Sequence, residues 1–128
     1  MKYYINKTIE TEFDKAVELV TEALKKEGFG VLSEIDIREK LKEKLDVDIR
    51  KYKILGACNP PNAYEALQHE DKIGTMLPCN VIVQETGKNQ VEVAVVDPVA
   101  SMMAVENKQL ANIASDIKAK LERVIASI

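Results

Sequence analysis

Hydrophobic positions along this chain change their period several times, and the changes divide it into elements. Tyr3, Ile5 and Ile9 alternate with polar neighbours across residues 2–9, the period of a pleated strand. From Phe13 the spacing becomes helical. Ala16, Val17, Val20, Ala23 and Leu24 continue one stripe, with Thr11 and Asp14 in a capping-box arrangement before it and Gly28 as a left-handed stop. Residues 29–35, carrying Val31, Leu32 and Ile35, predict a second strand. Asp36 and Glu39 then cap a short, charged helix whose narrow apolar side is Ile37, Leu41 and Leu45.

Residues 50–58 predict a third strand, with Tyr52, Ile54, Leu55 and Ala57, ending at Cys58. Asn59 is a good N-cap and Pro60 a good first helical residue, because a proline gives up no hydrogen bond in the first turn. That helix runs to about Glu70, and residues 73–78 connect it onward. Val81 to Val83 and Val91 to Val96 are strands around a turn-rich Gly87-Lys88-Asn89, which predicts a hairpin. Asp97-Pro98 ends the second of them, and residues 99–103 make a short crossover. Finally Leu110, Ile113, Ala114, Ile117, Leu121 and Val124 form a stripe wide enough to cover a sheet, continued by Ile125 and Ile128, with Lys118 expected on the solvent side.

The order that results is an α+β fold, a two-layer sandwich with about five strands in a mixed sheet and helices banked on one face. A doubly wound α/β sheet is the alternative, disfavoured by the hairpin. If the first two strands are parallel neighbours, their crossover is right-handed. The 128 residues contain no repeat and no linker, so residues 1–128 are expected to form a single domain.

Composition narrows the function classes. At 46% hydrophobic and 30% charged residues the chain is an ordinary globule, and a net charge of -3 with intermixed signs offers no basic stripe for phosphates, so no nucleic-acid role is expected. The first residues lack the apolar core of a signal peptide and no run is long enough to span a bilayer, so no membrane role and a cytoplasmic location are expected. Two cysteines in that compartment default to free thiols.

Those cysteines mark the candidate site. Cys58 ends a strand just before a helix start, where its sulfur would face free backbone N–H groups and the positive end of the helix dipole. Nucleophilic catalysis, sulfur carriage and soft-metal ligation are all open to such a thiol, while inert packing is the competing explanation for Cys58 and more so for Cys79. An intrachain zinc site from Cys58, Cys79 and the single histidine, His69, is disfavoured by geometry, since a ten-residue helix separates Cys58 from His69 by roughly 15 Å, while a two-cysteine site joined by ligands across a dimer interface stays open. Met76, Met102 and Met103 offer thioethers to a soft metal, although methionine more often fills gaps or seals interfaces. Asn59 and Asn80 could orient a polar group, and Asp97 could act as a base, against the simpler roles of capping and turning. No nucleotide-loop, hydrolase, metalloprotease or CxxC motif is present, so no cofactor is indicated.

The stretches Ile54-Leu55-Gly56-Ala57-Cys58-Asn59-Pro60-Pro61, Leu77-Pro78-Cys79-Asn80-Val81 and Val96-Asp97-Pro98 with Met102-Met103 together resemble the domain of unknown function 302 family of small bacterial and archaeal proteins. The resemblance implies a compact α+β domain, dimeric, with no biochemical activity to carry over. The expectation is therefore a homodimeric domain binding a small molecule or soft metal near Cys58, Asn59, Cys79, Asn80 and Asp97. The alternative is a thiol-dependent redox or sulfur-transfer enzyme, with Cys58 as nucleophile and Cys79 as resolving thiol.

Overall fold

In the computed structural model, which describes residues 2–128, alternating side chains build one sheet from five strands. They are β1 (Tyr4–Ile9), β2 (Gly30–Asp36), β3 (Tyr52–Cys58), β4 (Cys79–Gly87) and β5 (Gln90–Val96), in the order β1-β5-β4-β3-β2. Met1 lies outside the described residues. Helices α1 (Phe13–Lys26), α2 (Ile37–Leu45), α3 (Pro60–His69), α4 (Pro98–Ser101) and α5 (Lys108–Ser127) join them, with a 3-10 turn over Asp71–Met76.

The fold is α+β, and the buried side chains of α1, α3 and α5 share one core with one face of the sheet. The expected mixed sheet is corrected: every neighbouring pair is antiparallel. The cause lies in α1, which delivers β2 to the edge opposite β1, so the only strand-helix-strand unit with parallel strands never makes a parallel pair. The handedness rule for adjacent parallel strands therefore does not apply. The hairpin forms as expected, turning through Lys88 and Asn89, whose φ of 53° suits asparagine.

The register sorts the two faces. Ile5, Val95, Val81 and Leu55 run in one row across the core face, with Val93 and Val83 beside them, all but Ile5 buried. Against them lies the α5 stripe, in which Leu110, Ile113, Ala114, Ile117, Leu121 and Val124 are buried as expected. Gly28 ends α1 at φ +84°, and the Phe29 N–H reaches back to the Leu24 carbonyl at 2.9 Å. The capping box at Thr11 and Asp14 does not form. Buried Phe13 is itself the first helical residue, leaving Glu12 as an N-cap without a side-chain bond. Asp36 does cap α2, accepting from the Glu39 N–H at 3.0 Å, but α2 buries none of its residues.

Candidate functional site

The strand ends bring Cys58, Cys79 and Asp97 to one end of the sheet, where β3 and β5 finish and β4 begins. Cys79 pairs in register with Ala57, the neighbour of Cys58, and both thiols are free. Cys79 is buried, and loss of hydration pushes its thiol up from the ordinary 9.0 to about 11, with the nearby Cys58 adding to the rise. Cys58 is half-buried. Both line a cavity of about 10 Å³, together with Met102, Phe29, Leu77 and Ile117. That volume admits one water-sized atom at most and no organic molecule.

The helix start beside Cys58 does not offer free N–H groups. Pro60 and Pro61 have none, the Asn62 N–H goes to Asn59 Oδ1 at 3.4 Å, and the Ala63 N–H goes to the Asn59 carbonyl at 2.9 Å. The anion-holding setting expected for Cys58 is absent from the first turn of α3. Asn59 is committed further: its Nδ2 donates to the Glu27 carbonyl at 3.2 Å, tying α3 to the end of α1. His69 sits exposed at the far end of α3, and no group of three His, Cys, Asp or Glu side chains among the described residues can hold a metal.

Asp97 is likewise occupied. Its Oδ1 accepts from the N–H groups of Val99 and Ala100 at 3.0 and 3.3 Å, capping α4, and its Oδ2 meets Lys118 Nζ at 3.0 Å. Burial alone would raise its carboxyl, but the Lys118 bond and the two backbone donors outweigh burial and hold it below the ordinary carboxylate value. Lys118, expected to be a bystander, is thus a partner of a buried acid.

Asn80 belongs to the other face. It pairs with Gly56, one position along β4 from Cys79, and so points away from the helices. The close packing there explains the glycine: a Cβ on Gly56 would collide with Ser33 Oγ and lie 2.9 Å from Pro78 Cγ. Beside it the uncovered face holds a hollow of about 450 Å³. Its floor is Ala94 and Ile82, opposed in the register and flanked by Tyr4 on β1 and Tyr52 on β3. Glu92 lies on the same face, its Oε2 accepting from Asn6 Nδ2 at 2.8 Å and its Oε1 from Gln84 Nε2 at 2.7 Å. Tyr3 meets Tyr4 edge-on, with ring centroids 5.0 Å apart.

Of the hollow's residues, sequence reasoning named Asn80 alone as a site residue. The signal for the rest is the period-2 alternation in β4 and β5, which sets Ile82 and Gln84 against Val81 and Val83, and Glu92 and Ala94 against Val93 and Val95. Only the register shows that those positions meet one another and two tyrosines.

An all-antiparallel five-stranded sheet, clad by helices on one side and carrying a hollow on the other, defines an α+β domain with a helical and an open layer. The family described as "Domain of unknown function DUF302" matches residues 5–128, and the chain belongs to that family. It is similar to a solved structure, the uncharacterized conserved protein DUF302 from Bacillus stearothermophilus, at 28% identity and a TM-score of 0.91, covering 99% of this chain and 98% of that one. No curated protein matches the chain.

Proposed function

We propose that residues 1–128 form one cytoplasmic, homodimeric binding domain with no nucleic-acid role, and that its small ligand sits in the hollow of the open sheet face. The observation that carries this is the contrast in room: about 450 Å³ there against about 10 Å³ beside the thiols. Ligand sites are concave, mainly apolar and furnished with a few fixed polar groups, which describes Ile82, Ala94 and the tyrosines around Glu92 and Asn80. Titrating a set of small aromatic and aliphatic fragments into labelled protein tests it. Amide shifts should cluster at residues 80–84 and 92–96. Shifts confined to Cys58, Cys79 and Met102 would move the site to the other face.

A second reading rests on a different observation, that Cys58, Cys79 and Met102 line one cavity. A single soft metal ion is the only ligand of the expected kinds that suits so small a space, with two thiols and a thioether as its donors. Thiol chemistry with Cys58 as nucleophile has the same residues to draw on. Burial pushes the Cys79 thiol up to about 11, so Cys79 holds its proton near neutral pH and the more exposed Cys58 is the thiol a reagent meets first.

A further inference from the structure

We propose that the hollow of the open face selects an organic cation, an amine carrying an aromatic or aliphatic body. This rests on the ligand-binding reading above and names the class of ligand. Three observations carry it.

First, Glu92 is a carboxylate fixed by neutral donors. The Asn6 and Gln84 amides orient both of its oxygens, yet no basic side chain among the described residues comes within ion-pair distance of it. Each oxygen accepts one bond and keeps capacity for another, so an ammonium arriving from the hollow finds an oriented anion.

Second, the walls suit a cation. Tyr3, Tyr4 and Tyr52 line the space, and phenol faces attract ammonium groups while also packing against an apolar body. Ile82 and Ala94 give that body a floor without a competing donor.

Third, the chain already places an ammonium at the rim. Lys2 Nζ stands 5.0 Å from the Tyr4 ring centre and donates to Asn6 Oδ1 at 3.4 Å, and Asn6 in turn donates to Glu92. Lys2 is exposed and its bond is long, so it marks the preference of the surface without filling the hollow.

The test compares three probes of one shape on the whole chain, followed by amide shifts: phenethylammonium, neutral 2-phenylethanol and anionic 3-phenylpropanoate. The expected result is that phenethylammonium moves residues 80–84 and 92–96 with a Kd at least about tenfold below that of the alcohol, the scale of one charge-assisted contact. The propanoate should be weakest. In Glu92→Gln, which keeps side-chain length and an acceptor, the advantage of the cation over the alcohol should vanish while the alcohol's own affinity stays. Equal affinity for all three probes, or a preference that survives Glu92→Gln, would overturn the cation inference and leave the ligand site standing. Silence from all three while other fragments still occupy the hollow does the same. If no fragment or probe reaches the hollow, or if the open face is covered by a second copy in solution, the parent reading falls with it.

Discussion

At the residue scale, the motifs that mark the family are mostly committed to holding the fold. Gly56 lets Ser33 and Pro78 close over the sheet, Asn59 caps α3 and ties it to α1, and Asp97 caps α4 and pairs with Lys118. Replacing Asp97 with Ala should cost about 1–2 kcal/mol, the usual loss for a cap, seen as a lower denaturant midpoint at pH 7. Because the folded carboxyl is held below its unfolded value, this contribution is present above the unfolded value and fades as pH falls through the folded one, so the wild type and Asp97→Ala should converge in acid. Cys79 behaves oppositely. Its folded thiol holds its proton up to about 11 against the ordinary 9.0, so stability is kept below pH 9 and declines as pH rises between these values, by up to about 3 kcal/mol. Cys79→Ala should lose that alkaline dependence. In native protein Cys58 should be alkylated by iodoacetamide faster than Cys79 at pH 8, on grounds of exposure and of the roughly one in 10³ Cys79 thiols ionised there. Mass-resolved labelling showing equal rates would mean that the sulfur cavity opens readily.

At the element scale, α5 shows how far periodicity reaches. Its stripe was legible because helical spacing is a local property, and each stripe position from Leu110 to Ile125 is buried. Ile117→Ala and Leu121→Ala should each destabilise by about 2–4 kcal/mol in chemical denaturation, whereas exposed Asn112→Ala should stay within about 0.5 kcal/mol. Lys118 is unsuited to be the silent control, because its ammonium reaches Asp97, a contact between distant segments that no local period encodes. The same limit separates what was legible in the sheet from what was not. Alternation revealed the strands and the hairpin and which positions of each strand share a face, but partner choice depends on α1 crossing the sheet, and so the meeting of Glu92 with Tyr4 and Tyr52 had no signature in any one strand. Conversely, Pro60 and Pro61 carried a signal that the expectation of free N–H groups beside Cys58 passed over, since two prolines leave the first turn of α3 two donors short.

At the scale of the whole molecule, one layer is closed and the other unfinished. Outside the hollow, at the β2 edge of the molecule, Leu32 and Ile35, with Leu45 on α2 and Val47 beyond it, are exposed, apolar surface of the kind a symmetric dimer covers without closing the hollow. Sedimentation at micromolar concentration should therefore give twice the 14.3 kDa chain mass, and a monomer throughout would remove the dimer from the proposal. The strand order also has a temporal meaning. β1 is made before any other strand, yet its only partner is β5, with Ile9 set against Val91 and Tyr4 against Val96. On the ribosome the first strand must wait, unpaired, until nearly the whole sheet has been synthesised, while β2 to β5 pair successively with what has just emerged. The oldest strand of the sheet can be seated only once the youngest has been made, and its six residues then complete the sheet at the β5 edge.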